Sequence, residues 1–334
     1  MRGRGAVTIA DVARDASVSA ATVSRVLNGS TTVDPELAER VRASVRHLDY
    51  RPNASARRLA TGTTGTVGVV VPDLANPYFH GVLKGLAEAA RGDGVSLLVA
   101  DSDEVARDEV SLARDLLVQV DGLILCSPRM PRLDLLAVLD GGRPVVAVNT
   151  VVQGVGMPSV SFDAHGGTLA LCGHLAGLGH RRVVYLAGPA TSWSAHERWR
   201  ALTAARAFGI EAVAVEAGST LAAGAAAVDH ALGTGATALV GFNDLVALGA
   251  IAGLRERGVA VPTDVSVTGF DDIPYAAFTS PALTTVRSRG LDLGRAGWRI
   301  LSRLLAGDRT VDSELLPSEL VERKSTGTAR PRRG

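Results

Sequence analysis

The sequence is poor in cysteine, with only Cys126 and Cys172, and each stands inside an apolar segment. Two thiols so far apart exclude a disulfide-rich scaffold and a cysteine-based metal site, and we interpret them as reduced core residues. No apolar run is long enough to cross a bilayer. The charged N-terminal segment also lacks the continuous apolar stretch of a secretory signal. We therefore expect a globular protein that stays in the cytosol.

Catalytic motifs are missing as well. His196-Glu197 matches the start of the zinc motif H-E-x-x-H, but Arg200 stands where the second histidine is needed. The sequence contains no phosphate-binding loop of the form G-x-x-x-x-G-K-[ST], and its seven histidines are scattered without a nucleophile elbow. We expect no enzyme activity, no metal and no cofactor.

Charge is unevenly distributed along the chain, although the net charge is only +1. Residues 1–60 contain ten arginines against six acidic residues, whereas the remainder has a slight acidic excess. A basic head on a mildly acidic body predicts that the first segment binds a polyanion. A solvated charged surface would produce the same balance, so this observation needs support from the motifs.

The first sixty residues predict three short helices. Thr8 is a cap for a helix that runs to Ala16, and Ser19 is a cap for a second helix from Ala20 to Leu27. Their apolar residues recur at helical spacing, which gives each helix one buried face. The spacing of the pair is typical of a helix-turn-helix, whose second helix lies in the major groove. Asp34 caps a third predicted helix, from Pro35 to Asp49.

The segment from Asn53 to Ala60 has helix-forming composition but spans only two turns. Isolated helices shorter than about 12 residues are marginal in water. We therefore expect this segment to fold only on DNA. An ordinary linker is the alternative, favoured by the Thr- and Gly-rich residues 61–65 that follow.

From Val67 onward, short β-branched runs alternate with longer helical stretches, which predicts parallel sheets covered by helices. Ligands in such folds bind outside the carboxyl ends of the strands. The predicted strands are TVGVVVP, VSLLVAD, DGLILCSP, RPVVAVN, RRVVYLAG, TALVGFN and DVSVTGF. The polar residues at their ends are Asp73, Asn76, Asp101, Ser127, Asn149, Asn243 and Asp271.

Two stretches, TIADVARDASVSAATVSRVLNG and LDYRPNASARRLATGTTGTVGVVVPDLANPYF, resemble the lactose/galactose repressor family of transcription regulators. Further matches, among them GHRRVVYLAGP and VTGFDD, extend the resemblance over nearly the whole chain. It implies an α/β fold class: an N-terminal all-α helix-turn-helix domain and a two-lobed, type I periplasmic-binding-protein-like core with parallel sheets. The implied segments are residues 1–52 for DNA binding, 53–65 for a hinge helix and linker, and 66–334 for ligand binding and dimerisation. Lobe 1 is expected at about 66–161 and 291–317, and lobe 2 at about 162–288 and 318–328.

The resemblance also implies DNA contacts. Among the residues of the second helix that would face the bases, Arg25 can donate two hydrogen bonds to guanine, whereas Ala20 and Ala21 offer only methyl contacts. We therefore expect few direct contacts between side chains and base edges. Leu59 matches a leucine that is wedged into the central base step, and Ala56 matches a close-packing position between paired hinges. The complete predicted set is Thr8, Ser19, Ala20, Ala21, Thr22, Ser24, Arg25, Asn28, Tyr50, Asn53, Ala56, Arg57 and Leu59.

Ligand contacts are implied in the core. Arg198, Asn243 and Asp271 match positions that contact ligand hydroxyls in sugar-binding relatives, and guanidinium, amide and carboxylate groups suit a polyol. Helix capping by Asn243 and core packing of Phe79 are the structural alternatives. The complete predicted set is Asn76, Tyr78, Phe79, Asn149, Phe162, Ser192, Ser194, Arg198, Asn243 and Asp271.

We therefore expect a cytoplasmic, nucleoid-associated homodimer that acts as a repressor. Its partners would be a near-palindromic double-stranded operator and a small sugar or related polyol, which modulates operator affinity. A cytosolic sugar-binding protein or sugar enzyme with the same core is the alternative. Residues 8–60 argue against it, because an enzyme has no use for a helix-turn-helix and a minor-groove hinge.

Overall fold

The computed structural model describes residues 7–27, 33–50 and 63–330. Within it the chain divides into two compact units, residues 1–64 and 65–334. None of the helices in the described residues combines the length and apolar character needed to span a bilayer. Each unit is described below by itself.

The N-terminal unit contains helices α1 (Ile9–Asp15), α2 (Ala20–Leu27) and α3 (Pro35–His47). Thr8 begins α1 with a capping box, in which its side chain accepts from the Asp11 backbone and the Asp11 carboxylate accepts from the Thr8 backbone. The Asp34 side chain caps α3. The predicted helices are thus present, although α3 ends two residues before Asp49, whose φ of 46° lies in the left-handed region.

The three helices share a small core centred on Val12, Val23 and Val41, which are completely buried. Besides Val41, helix α3 buries Ala38 and Ser44, while Leu37 is half-buried. The Ser44 hydroxyl donates to the Asp15 carboxylate across the unit at 2.6 Å. This contact ties α3 to α1.

The second unit contains two six-stranded sheets. The strands are β1 (Thr66–Val71), β2 (Ser96–Asp101), β3 (Gly122–Cys126), β4 (Val145–Val148), β5 (Ser159–Phe162), β6 (Arg182–Ala187), β7 (Glu211–Glu216), β8 (Ala238–Gly241), β9 (Ser266–Asp271), β10 (Thr284–Arg287), β11 (Glu314–Leu316) and β12 (Glu319–Val321). The first sheet has the order β11-β5-β4-β3-β1-β2 and is parallel throughout, and the second has the order β12-β10-β9-β8-β6-β7 and is parallel except for β12.

Helices cover these sheets. They are α4 (Pro77–Gly92), α5 (Ala106–Gln119), α6 (Arg132–Leu139), α7 (Ala164–Gly177), α8 (Trp193–Ala204), α9 (Leu221–Ala226), α10 (Val228–Gly233), α11 (Asp244–Glu256) and α12 (Gly290–Leu305), with short 3₁₀ turns at Ala205–Phe208 and Pro274–Ala277. We call the first sheet with its helices lobe 1 and the second lobe 2. The chain crosses between the sheets three times: after Phe162, after Arg287 and between Leu316 and Glu319.

The seven predicted strands are all present, as β1, β2, β3, β4, β6, β8 and β9. The central ones read as unbroken apolar runs because helices bury both faces of a parallel sheet. Strand β3, for example, has no exposed residue. The sequence pattern did not reveal β5, β7, β10 and β11, which have three to six residues.

Glycines allow two helices of lobe 1 to pack backbone to backbone. A Cβ on Gly294 of α12 would overlap the carbonyl oxygen of Val82 in α4, and a Cβ on Gly85 of α4 would overlap that of Leu291. Close packing here holds the N-terminal turn of α4, which carries Tyr78, against the crossover that precedes α12.

Candidate functional site

A cavity lies between the two lobes at the carboxyl ends of their strands. Its empty volume is about 320 Å³, part of which opens to solvent. Ser127 follows β3, Asn149 follows β4 and Asp271 ends β9, so the position agrees with the rule for ligand sites in α/β sheets. The lining residues are Asn76, Tyr78, Phe79, Glu104, Ser127, Arg129, Asn149, Ser194, Arg198, Ser219, Phe242, Asn243 and Asp271.

Arg198 is the central cation of the cavity, although only 5% of its surface is exposed. One terminal nitrogen donates to the Phe242 carbonyl oxygen, and the other lies 3.7 Å from an Asp271 carboxylate oxygen. Its guanidinium carbon lies 3.7 Å from the centre of the Phe270 ring, a cation–π contact that fixes the plane of the group. The Arg198 Nε has no hydrogen-bond partner in the described residues, so a buried donor is left for a ligand.

Asp271 faces Arg198 from the end of β9. Burial raises the pKa of this carboxyl to about 7, and the positive charge of Arg198 only partly opposes the shift. Its φ of 115° is a conformation that L-residues rarely adopt. Strained residues of this kind cluster at ligand sites, where the surrounding structure holds them in place.

A chain of hydrogen bonds forms the wall of lobe 1. The Tyr78 hydroxyl donates to Asn149 Oδ1 at 3.0 Å, and Asn149 Nδ2 donates to the Ser127 hydroxyl at 2.8 Å. Burial raises the pKa of Tyr78 well above its usual value, so the hydroxyl remains protonated. These groups bond to each other in the free protein, and a ligand must exchange some of these bonds for its own.

Asn76 and Asn243 are both helix caps and cavity residues. The Asn76 side-chain oxygen accepts from the Tyr78 backbone at the start of α4, and the Asn243 oxygen accepts from the Val246 backbone at the start of α11. The Asn243 amide nitrogen donates to the Ser219 carbonyl oxygen at 3.0 Å. Asn243 therefore caps a helix, as the structural alternative stated, and it also lies in the cavity wall.

The N-terminal unit exposes the start of its second helix. Ser19, Ala20, Ala21 and Arg25 are exposed on this side of α2, and Ser19 Oγ caps the helix by accepting from the Thr22 backbone. Arg25 makes one long bond, 3.4 Å from its Nε to the Ala21 carbonyl oxygen. The terminal nitrogens of Arg25 have no partner within residues 7–27 and 33–50, which suits a side chain that reads a base edge.

Comparison with known proteins gives the same two-part division. The model of bacterial regulatory proteins of the lacI family matches residues 8–53, and that of the periplasmic binding protein-like domain matches residues 172–326. Catabolite control protein A of Priestia megaterium is 33% identical over 330 residues, which cover 96% of this chain and 99% of that protein. The chain belongs to the lacI family of bacterial regulatory proteins.

Two solved structures support this assignment. The lac repressor dimer bound to operator and the anti-inducer ONPF matches with a TM-score of 0.88 and 31% identity, covering 97% of this chain and 100% of that chain. The complex of the transcriptional regulator CelR with cellobiose matches with a TM-score of 0.71 and 30% identity, covering 96% and 99%. The predicted fold class is confirmed, and this lacI-family member joins a helix-turn-helix head to a two-lobed core.

Eight of the ten residues predicted for the ligand site of this regulator line the cavity. The two exceptions are Phe162 and Ser192. Phe162 is 3% exposed in the core of lobe 1 and borders a second pocket. Ser192 is completely buried, caps α8 and bonds to the Ser194 hydroxyl at 3.0 Å, so its contact with the cavity is indirect.

Sequence reasoning missed Glu104 and Arg129 in this cavity. The Arg129 guanidinium donates twice to the Glu104 carboxylate, at 2.7 and 3.2 Å, and is 5% exposed. The Glu109 carboxylate accepts from the Arg129 and Met130 backbones, and burial raises its pKa to about 7. Arg129 follows β3 by three residues. The rule that ligands bind outside the carboxyl ends of strands would have included Arg129 if it had been applied to the whole loop after β3.

The predicted DNA contacts are only partly within the described residues. Thr8 is exposed and caps α1, Thr22 and Ser24 are half-buried on α2, and Tyr50 is 9% exposed in the small core. Asn28, Asn53, Ala56, Arg57 and Leu59 lie outside the described residues. Two expected strand-end residues of the core do not line the cavity: Asp73 accepts from the Ala75 backbone in its own loop, and Asp101 accepts from the Leu74 backbone in the loop after β1.

Proposed function

We propose that this chain is a transcriptional repressor whose affinity for operator DNA is set by a neutral polyol bound between the lobes. One observation carries the proposal. The same chain has an exposed helix-turn-helix start that carries the exposed Arg25, and a buried, polar cavity at the strand ends of a two-lobed core. We propose no enzyme activity.

The head is proposed to read DNA through α2. Arg25 would donate to the O6 and N7 atoms of a guanine, while Ala20 and Ala21 contact thymine methyl groups. Thr8, Ser19, Thr22, Ser24 and Tyr50 are proposed phosphate contacts, which position the head without encoding sequence. The hinge residues Asn53 to Ala60 are proposed to pair in the minor groove, with Leu59 as the wedge.

The chemistry of the cavity favours a neutral polyol. Arg129 is paired with Glu104, and Arg198 faces Asp271, so the wall has little net charge to attract an anion while Asp271 is ionised. Its amides, hydroxyls and carboxylates offer donors and acceptors for several hydroxyl groups. The structure of a relative, CelR, is a complex with cellobiose, which agrees with a sugar-like ligand.

A homodimer is the proposed assembly, since the related lac repressor binds its operator as a dimer. Exposed apolar side chains support it: Leu98 and Val99 lie on the edge strand β2, and Phe278 is 88% exposed on lobe 2. Apolar edges of this kind are typical of protein interfaces. A two-fold dimer would bind a near-palindromic site.

Regulation is proposed to proceed through closure of the lobes. A ligand that bonds to both lobes would favour one relative orientation, change the separation of the paired hinges and shift DNA affinity. The proposed working segments are residues 1–52, 53–65 and 66–334, with lobe bounds near 66–161 and 291–317 and near 162–288 and 318–328. Because the target is DNA, we propose a cytoplasmic, nucleoid-associated location.

The test starts from the purified full-length protein and a randomised duplex library. Selection should enrich a near-palindromic sequence, and binding to it at moderate salt should exceed binding to random duplex. The selected duplex is then titrated with and without glucose, galactose, ribose, cellobiose and lactose. Equal affinity for selected and random duplexes under every condition would overturn the proposal.

A further inference from the structure

The loop that follows β3, residues 127–130, forms part of the lobe 1 wall of the cavity, and we call it the β3 loop. Ser127 and Arg129 of this loop line the cavity. The Ser127 hydroxyl accepts from Asn149, and the φ of Ser127, 46°, is a conformation that L-residues rarely adopt. The position of the β3 loop therefore decides where two groups of the cavity wall lie, and the loop needs contacts that hold it there.

Glu109 supplies such contacts from α5, 20 residues earlier in the sequence than Arg129. Its side chain is completely buried. Its Oε2 accepts from the backbone N–H groups of Arg129 and Met130, at 2.7 Å each. Bonds to a carboxylate are stronger than bonds between neutral groups, and two bonds on successive residues fix both the place and the direction of the chain. The other oxygen, Oε1, is buried and has no hydrogen-bond partner in the described residues.

Three titratable or charged groups of the described residues face Glu109, each from a different segment packed against it. The Arg129 guanidinium of the β3 loop favours the ionised carboxylate, and Glu104, which precedes α5, opposes it. Cys126 ends β3, and burial raises the pKa of its thiol to about 12, so the thiol has no charge near neutral pH. Burial also raises the pKa of Glu109 to about 7, although the two amide bonds and Arg129 oppose the shift. Glu109 therefore exchanges its proton in the neutral range.

Protonation of Glu109 changes the strength of the bonds that hold the β3 loop. A neutral carboxyl accepts hydrogen bonds more weakly than a carboxylate does. A proton on Oε1 has no acceptor within the described residues, so no new bond offsets the loss. The Arg129 side chain is also held by Glu104, at 2.7 and 3.2 Å, but this ion pair does not bond to the loop backbone. The backbone of the β3 loop consequently depends on the charge of Glu109.

We propose that Glu109 is the positioning residue of the lobe 1 wall, and that its negative charge holds the β3 loop in the arrangement that binds the polyol. The inference rests on the proposed function and adds a mode of regulation to it. Loss of the charge loosens the loop, displaces Ser127 and Arg129, and weakens polyol binding. The response of the repressor to the polyol then decreases as the pH falls through the neutral range.

Hydrogen exchange on the free full-length protein measures the hold on the loop without a ligand. At about pH 8, Glu109→Gln should lower the protection of the Arg129 and Met130 amides about threefold to tenfold, because glutamine offers a neutral acceptor of the same shape. At about pH 6, the wild type and the variant should agree within about twofold, because the wild-type carboxyl is then protonated. Exchange rates are divided by those of an unfolded peptide at the same pH, and β6 of lobe 2 is the internal reference.

Calorimetry measures the consequence for binding, with glucose, galactose, ribose, cellobiose and lactose as the probes. The sugar that binds the wild type most tightly should bind Glu109→Gln about threefold to tenfold more weakly at about pH 8, and equally well at about pH 6. The pKa of Asp271 is also raised to about 7, but Asp271 is present in both proteins, so the comparison removes its contribution. A purely structural defect would give the same difference at both pH values.

Asp115→Asn is the matched control, because Asp115 is an exposed carboxylate of the same helix and does not line the cavity. It should leave both the protection of the loop and the sugar affinity unchanged. If Glu109→Gln unfolds, the wild type alone provides a second measurement, since protection of its β3 loop relative to β6 should fall between about pH 8 and about pH 6.

A difference of equal size at both pH values, or no difference at about pH 8, overturns this inference while the proposed function stands. Constant loop protection across this range in the wild type has the same meaning. Absence of binding by every sugar overturns the polyol ligand, and the exchange measurement then still decides whether the charge of Glu109 holds the loop.

Discussion

Arg198 and Asp271 face each other across the floor of the cavity, with 3.7 Å between a guanidinium nitrogen and a carboxylate oxygen. Both side chains are more than nine-tenths buried. The separation is longer than a hydrogen bond, so neither group fully satisfies the other. A ligand hydroxyl that donates to Asp271 and accepts from Arg198 would satisfy both groups. We therefore expect ligand binding to be most sensitive to changes in this pair.

Arg198→Lys should weaken polyol binding about tenfold to a hundredfold, because lysine keeps the charge but loses the planar contact with Phe270 and the fixed donors. Binding to the selected operator without ligand should change little. Calorimetry measures the first quantity and fluorescence anisotropy the second. Arg206→Ala, which removes an exposed arginine of the same lobe, is the control and should leave both unchanged. Wild-type polyol affinity in Arg198→Lys would remove Arg198 from the site.

The raised pKa of Asp271 predicts a pH-dependent difference in the free energy of unfolding between the wild type and Asp271→Asn. The carboxyl titrates near its ordinary value of 3.8 in the unfolded chain and near 7 in the folded protein. Between these values the folded state holds the proton more tightly, so wild-type stability relative to the variant should fall as pH rises. It should level off above about pH 7.

Denaturant unfolding of both proteins at several pH values measures this difference. Subtracting the free energy of unfolding of the variant from that of the wild type removes the contributions of other titrating groups. Among these are Glu109, whose pKa is also raised, and His180, whose pKa is lowered by burial. Glu109→Gln is the matched control and should remove a separate dependence of the same sign. A stability difference that stays constant from pH 4 to pH 8 would contradict the raised pKa of Asp271.

Arg25→Ala should relax the preference for one base pair in each half of the operator. A bidentate contact to guanine contributes about 1–3 kcal/mol of discrimination, which a methyl group cannot supply. The measurement is binding to the selected duplex and to duplexes changed at single positions. Arg14→Ala is the control, since Arg14 is exposed on α1 and pairs with Asp11. Equal loss of affinity on all duplexes would make Arg25 a phosphate contact.

Leu59→Ala should reduce both DNA bending and operator affinity, because an apolar wedge is needed to unstack the central base step. Polyol binding should persist. Circular-permutation gel shifts measure the bend, and Leu59→Met, which retains an apolar side chain of similar length, should recover most of it. Undiminished bending in the alanine variant would exclude the wedge.

Gly294→Ala should destabilise the core by about 1–3 kcal/mol, because its Cβ overlaps the Val82 carbonyl oxygen and forces α12 away from α4. Gly173→Ala is the matched control: it lies inside α7 with open space around it, and alanine should raise stability by up to about 1 kcal/mol. Urea unfolding of both variants gives the comparison. Equal stabilisation by the two substitutions would show that the helices tolerate a wider spacing.

Sequence patterns correctly predicted the elements whose formation depends on interactions between neighbouring residues. The caps Thr8, Ser19 and Asp34 begin the three head helices, as their side-chain chemistry indicated. The apolar runs located the central strands. Short strands such as β5 and β11 escaped because pairing with a neighbour, and not their own composition, makes them strands.

The site shows the same division. Asn149, Arg198, Asn243 and Asp271 were predicted from strand ends and from the family resemblance, and the cavity brings them together. Phe162 was predicted beside them, but it is buried in the core of lobe 1 and borders a different pocket. Glu104 was missed because its place depends on an ion pair with Arg129, which is 25 residues away in sequence.

The sequence by itself determined the class of regulator, the three head helices and the central strands of parallel sheets, since capping, periodicity and motif spacing are properties of neighbouring residues. Only the tertiary structure decided which strand ends face each other across the lobes and which arginines are buried beside acidic partners. The physical reason is that three chain crossings bring together residues more than a hundred positions apart. Burial then determines the pKa values and the hydrogen-bond partners of these residues, and local sequence patterns do not predict burial of this kind.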